Sequence, residues 1–133
     1  MIVAIAPVLI ALASFFLRIF NLASIKSMIF DEVYYVDGAR DLLKYGVEVT
    51  GADPEFVVHP PVGKWLIASG IKVFGDNPLG WRFATALLGS VMILVVALIA
   101  HRLFYSPVLT ALAAGLMAVD GLALVHSRTA LLD

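Results

Sequence analysis

Residues 83–100 read FATALLGSVMILVVALIA, an unbroken apolar or small stretch without a charged side chain. A run of this length approaches the roughly 20 residues that a helix needs to cross the hydrocarbon core of a bilayer. With Arg82 at its head, it is read as a membrane span over about 82–100. Immediately downstream, His101-Arg102-Leu103-Phe104-Tyr105-Ser106-Pro107 makes a short turn. Val108 to Val125 then forms a further apolar run interrupted only by Asp120, so a second span over about 108–126 closes a helical hairpin.

Upstream, Ile2 to Leu17 is again apolar or small. If Arg18 extends its charge toward the interface, the stretch to Leu22 is long enough to cross, giving a first span at about 2–22. A cleaved signal peptide is the rival reading, but no basic residue precedes the apolar run and Phe20-Asn21-Leu22 is a poor small-residue cleavage site. The hairpin turn carries Arg102 and no acid, which places it in the cytoplasm by the bias of positive residues to that side. Residues 24–80 then form an external loop.

Composition agrees with lipid as the solvent. Hydrophobic residues make up 62% of the 133, against about 45–50% in soluble domains. Of 19 charged residues, 14 fall between Lys26 and Arg82, so the charge sits in the middle and the flanks are greasy. A net charge of −1 gives no basic surplus for neutralising nucleic-acid phosphates, and the lack of cysteine excludes disulfides and thiolate metal sites.

Within the external loop, Tyr35, Ala39 and Leu42 recur at helical spacing, Arg40 and Lys44 form a polar face, and Gly46 stands where a C-cap belongs, predicting a helix of about 14 residues. A second helix is expected to start at Pro61 and end at Gly75, with Lys64, Ala68 and Lys72 on one side and Trp65, Leu66, Ile71 and Phe74 supplying apolar surface. Too short to span, it is expected to lie in the membrane interface. Asp76-Asn77-Pro78-Leu79-Gly80 is the turn into the next span.

Several ionisable residues have both a structural and a chemical reading. Asp31 suits a helix N-cap and Glu32 a first turn, where the backbone dipole favours negative charge. A carboxylate beside a partly dry cleft can equally accept a proton from a hydroxyl. Arg82, after Trp81, is either an interfacial anchor or a phosphate-binding group, its planar fork matching phosphate oxygens. The prolines of His59-Pro60-Pro61 fix the backbone around a lone histidine, with no second histidine at metal-ligand spacing. Asp120 and Arg128 form a structural pair or mark a function, since charge at membrane depth is costly.

The order of these signals is more specific than any one of them. Phe30-Asp31-Glu32-Val33-Tyr34-Tyr35, then Phe56-Val57-Val58-His59-Pro60-Pro61-Val62-Gly63-Lys64, then Gly80-Trp81-Arg82, then Asp120-Gly121 and Ser127-Arg128-Thr129-Ala130-Leu131-Leu132-Asp133 resembles the beginning of a protein O-mannosyltransferase of the GT-C glycosyltransferase superfamily, the bacterial type above all. The resemblance implies an all-α, polytopic membrane protein of the multi-pass plasma-membrane kind, with its site on the external face. It implies that mannose moves from polyprenyl-phosphate-mannose to serine or threonine hydroxyls of secreted or membrane proteins. Asp31 would be the catalytic base and Glu32 its support, Arg82 would contact the lipid phosphate, and His59 and Arg128 fall on substrate-side motif positions without an assigned step. No metal is demanded, and relatives in the superfamily differ on that point. Family members continue through further spans, so this N-terminal piece is expected to be inactive alone. Two other readings stay open: a superfamily transferase that moves another lipid-linked sugar onto lipid A or cell-wall glycan, and a transporter or non-catalytic membrane subunit built around Asp120 and Arg128.

Overall fold

The computed structural model describes residues 2–51, 53–54 and 61–131. It is almost wholly helical and forms two compact units, one from Met1–Phe20 and Ala86–Arg128, the other from Asn21–Thr85 and Thr129–Asp133.

The first unit contains α1 (Ile2–Ile19), the later part of α4 (Pro78–Phe104), α5 (Pro107–Val119) and α6 (Gly121–His126). At 1.5 Å per residue the 27 residues of α4 extend about 40 Å. Among the described residues α4 is the one helix long and apolar enough to cross a membrane, while Ile5–Ile19 and Pro107–Val119 are shorter apolar helices. The core is made of Ala11, Ile93, Ala97, Ala114 and Ala118. Alanine at nearly every contact lets helix backbones approach closely, the packing mode used where apolar side chains gain nothing by leaving lipid. Outward, α1 shows Leu9, Leu12 and Phe16, an exposed stripe at helical spacing.

The run expected to form one helix over 108–126 is two helices, divided at Asp120. Asp120 has extended backbone geometry, and its Oδ1 accepts a hydrogen bond from the Ala123 N–H at 2.7 Å, capping α6. A short acid able to bond its own downstream backbone competes with continuation of the helix, and here it wins.

The second unit holds α2 (Glu32–Tyr45), a minimal antiparallel ribbon of β1 (Val49–Thr50) and β2 (Asp53–Pro54), α3 (Pro61–Phe74) and the start of α4. Both loop helices match their expected bounds. Gly46 closes α2 in the left-handed conformation with its N–H on Leu42 O, and Gly75 does the same for α3 with its N–H on Ile71 O at 2.8 Å. Tyr35, Val36 and Ala39 of α2 meet Ile67, Ala68 and Ile71 of α3, with Trp81 and Ala130 completing the core.

A polar strap fastens the turn before α4. Arg40 holds Asp76 through both oxygens, Nε to Oδ2 at 2.8 Å and Nη2 to Oδ1 at 2.9 Å, and also reaches Asp37 at 2.6 Å. The Trp81 indole N–H donates to the same Asp76 Oδ1 at 2.6 Å, and the Arg40 guanidinium lies 5.5 Å from the Trp81 ring centroid. The Arg40 hydrogen bonds, opposed by burial and aided by Trp81, hold the Asp76 carboxyl below the usual carboxylate range.

Where α3 passes the first turn of α4, only glycine fits. A methyl group on Gly70 would lie 2.2 Å from Gly80 O, a backbone atom that cannot swing aside. Gly70→Ala is therefore expected to destabilise this unit by about 1–3 kcal/mol, the usual range for overpacking. Thermal unfolding followed by the tryptophan fluorescence of Trp65 and Trp81 checks this, with Ser69→Ala at an exposed neighbouring position as the control.

Candidate active site

The acidic motif lies at the entry to α2. Phe30 takes a left-handed backbone conformation, φ 52°, unusual for an aromatic residue and a sign that the turn is held from outside. What holds it is Glu32, whose side chain is fully buried. Its Oε2 accepts from the Ile29 N–H at 2.9 Å and from Arg82 Nη2 at 2.7 Å. Its Oε1 accepts from Arg82 Nε at 2.7 Å and from the Ala130 N–H at 2.8 Å. Four donors on two oxygens fill the acceptor capacity of a carboxylate. Burial alone would push the Glu32 carboxyl up, but the Arg82 hydrogen bonds, with those from Ala130 and Ile29, bring it below the usual range.

Arg82 is equally engaged. Its residue is 1% exposed, and beyond its two bonds to Glu32 it donates from Nη1 to Ile25 O at 2.9 Å and from Nη2 to Ser27 O at 3.0 Å. Four of the five guanidinium N–H groups thus have protein acceptors. Arg82 does not reach out to the interface as an anchor. It gathers the 25–32 segment, the head of α4 and the 130 backbone around one buried charge pair.

Asp31 has a different environment. It is half-buried, its carbonyl accepts the Tyr34 and Tyr35 N–H groups, and its side chain makes no cap hydrogen bond to α2. The capping role that its position suggests is not the one it has, because Asp31 itself has helical backbone angles and cannot fold its carboxylate back over the first turn. Around it Phe30, Val33 and Tyr34 stand exposed.

Of the other expected site residues, His59 lies outside the described residues, as do Phe56, Val57, Val58 and Pro60. Arg128 belongs to the first unit, where Nη1 donates to Leu17 O at 3.2 Å and Nη2 to Phe20 O at 2.9 Å, carbonyls at the end of α1. It does not pair with Asp120, which is spent on α6. Among the described residues no three His, Cys, Asp or Glu side chains stand together as a metal site requires.

Two buried ionic features escaped the sequence reading. Lys64, expected on one side of its helix with Ala68 and Lys72, is 6% exposed and paired with the equally buried Glu48, with Gly38 leaving room for its stem. The signal was present: Lys64 shares helical register with Ile67, Ala68 and Ile71, the buried side of α3. The second is Arg18, fully buried, whose Nε donates to Ser127 Oγ at 2.7 Å and whose Nη1 donates to Ser14 Oγ.

Comparison with known proteins bears on the whole arrangement. A family model described as dolichyl-phosphate-mannose-protein mannosyltransferase matches residues 58–133. A polyprenol-phosphate-mannose–protein mannosyltransferase of Mycobacterium tuberculosis is 44% identical over 128 residues, covering 94% of this chain and 24% of that protein. One of the same name from Mycolicibacterium smegmatis is 40% identical over 141 residues, covering 98% and 26%. An undecaprenyl phosphate-alpha-4-amino-4-deoxy-L-arabinose arabinosyl transferase of Pseudomonas fluorescens is 38% identical over 82 residues, covering 58% and 14%. This chain spans about a quarter of the length of the first two relatives. No solved structure matches it. By the family match over more than half its length, the chain belongs to the dolichyl-phosphate-mannose-protein mannosyltransferase family.

Proposed function

We propose that this chain serves a membrane glycosyltransferase that moves mannose from polyprenyl-phosphate-mannose to serine or threonine hydroxyls of proteins. The relatives' names supply the donor and acceptor classes, and one observation carries the assignment of roles. Two adjacent acids have divided their work: Glu32 is saturated by four donors and keeps its charge, while the Asp31 carboxylate is left unspent by helix capping.

In this reading Asp31 is the general base. It takes the hydroxyl proton as the acceptor oxygen attacks the anomeric carbon. The new C–O bond forms as the bond from that carbon to the phosphate oxygen breaks, and the phosphate departs with the electron pair, inverting the configuration. Glu32 and Arg82 fix the turn so that Asp31 is held in a productive geometry. Toward the donor phosphate Arg82 offers its remaining Nη1 hydrogen and its permanent charge. His59 and Arg128 are assigned to substrate binding on their motif positions.

The membrane topology belongs to the same proposal. The protein is multi-pass, with spans near 2–22, 82–100 and 108–126, the turn bearing Arg102 in the cytoplasm and residues 24–80 outside. Supporting an interfacial α3, Val62, Trp65, Leu66 and Val73 are all exposed along one stripe of the helix, with Trp65 at 57%.

The test is transfer from polyprenyl-phosphate-mannose to a threonine peptide by the full-length protein. Asp31→Asn is expected to lower the rate by about 100- to 10,000-fold without loss of folding, and an undiminished rate would remove the base assignment. Likeness to the Pseudomonas arabinosyl transferase favours a second reading, in which the donor carries another sugar and the acceptor is a glycan or lipid. Offering undecaprenyl-phosphate aminoarabinose and lipid A in parallel separates the two.

The neighbouring pair is expected to behave differently. Glu32→Gln leaves a buried guanidinium without its counter-charge, at a cost of about 3–5 kcal/mol, so this variant should lose thermal stability as well as transfer. Arg82→Lys with Glu32 intact should also lose stability, since one ammonium cannot span both Glu32 oxygens.

Acid should act through the same pair. Because the folded Glu32 carboxyl titrates below its ordinary value of 4.5, its stabilising contribution is complete above that value and disappears as pH falls through the lower folded value. An acid titration of tryptophan fluorescence is expected to show an unfolding step below pH 4.5 that is weakened in Glu32→Gln.

A further inference from the structure

The stretch from Phe56 to Lys64 ends in a lysine to which the proposed reaction gives no part. Lys64, the fourth residue of α3, is buried, and its Nζ donates to Glu48 Oε2. Three features of this pair work against stability. A cation in the first turn of a helix stands at the positive end of the backbone dipole. Glu48 Oε1 is buried with no hydrogen-bond partner among the described residues, and an unmatched buried acceptor is costly. The room that the pair needs is made by a glycine inside α2, where alanine would favour the helix. A methyl group on Gly38 would lie 3.1 Å from both Glu48 Oε2 and Lys64 Cδ. A buried ion pair gains little over apolar side chains of similar volume, and its best-attested use is to specify how elements are set against each other.

What this pair specifies follows from its place. Glu48 stands just beyond α2, in a segment folded back on that helix by the Val49 N–H, which donates to Asp41 Oδ2 at 3.3 Å. The pair therefore ties the start of α3 to α2. Toward its other end α3 is already fixed: Gly70 lies close against the Gly80 carbonyl, and the strap of Arg40 and Asp76 holds the turn into α4. Between the two ends runs an apolar seam of Tyr35, Val36 and Ala39 against Ile67, Ala68 and Ile71, which resists separation of the helices but not a small tilt. From Pro61 to Gly70 the helix extends about 14 Å, so a tilt of about 5° at Gly70 moves Pro61 by about 1 Å. A misplacement of about 1 Å can cost about 100-fold in an enzyme's efficiency.

We propose that Glu48 and Lys64 are a positioning pair that pins the first turn of α3 to α2. That turn directly follows His59-Pro60 in the sequence, and His59 is assigned to substrate binding on its motif position. The pair's use in transfer therefore rests on the transferase reading, whereas the pin itself does not.

The test compares the full-length wild-type protein in nanodiscs with the double variant Glu48→Leu/Lys64→Met, in which apolar side chains replace the pair. The double variant is expected to keep its unfolding temperature and to exchange the amide hydrogens of Trp65 to Ser69 faster than the wild type. It should raise the KM of one substrate by about 10- to 100-fold with kcat nearly kept, the mark of lost substrate binding. Lys64→Met alone, which leaves a buried carboxylate without its partner, should lose stability as well. Amide exchange at the wild-type rate in the double variant overturns the pin, and an unchanged KM overturns its use in transfer. A loss confined to unfolding temperature makes the pair structural only and overturns both. If the double variant does not fold, Gly38→Ala decides: it keeps both charges and crowds them, so a raised KM in a folded protein supports the proposal and an unchanged KM overturns it. No transfer by the wild type, with faster exchange in the double variant, would remove the transferase reading and leave the pin standing.

Discussion

The two-point contact between Glu32 and Arg82 is the constraint on which the rest of the second unit depends. Fifty residues of chain separate the partners, yet both are sealed from solvent and nearly every polar atom they present is matched. Such a pair gains little over an apolar contact, because desolvation consumes most of the attraction. Its value lies in specificity. A guanidinium that must satisfy Glu32, Ile25 O and Ser27 O at once admits one path of the chain between residues 25 and 32, and that path places Phe30 in its unfavourable conformation.

This constraint links fold to chemistry. In an ordinary helix start an acid in the Asp31 position would bend back to cap the first turn and be lost to other uses. Here Glu32 reaches back to the Ile29 N–H instead, taking over the task of ordering the turn. The strap of Arg40, Asp76 and Trp81 works differently at the other end of the loop: it joins side chain to side chain, on a turn that Asn77 Oδ1 already caps by accepting from the Leu79 and Gly80 N–H groups.

Much of this was legible in the sequence, and the parts that were share a cause. Gly46, Pro61 and Gly75 are local punctuation, each acting on its own backbone, so the bounds of α2 and α3 could be read directly. Asp120 is punctuation as well, but its acceptor geometry competes against a long apolar run, and hydropathy averages such a residue away. The partners of Arg82 and Arg18 lie 50 and 109 residues distant, and no periodicity encodes contacts of that range. Burial of Lys64 was hidden differently: its register with Ile67 and Ile71 was visible, but a lysine is ordinarily assigned to the wet side unless its partner, Glu48, is known.

The two-residue link between α4 and α5 has a consequence for biogenesis. α4 ends at Phe104 and α5 starts at Pro107, with Tyr105 turning the chain in a left-handed conformation and Ser106 capping the new helix through the Leu109 N–H. So brief a connection cannot wait in water while one arm is embedded. In the multi-pass topology proposed above, the 13 residues of α5 fall short of the length that partitions unaided, so both arms would enter the bilayer in one event, the shorter drawn in by the longer.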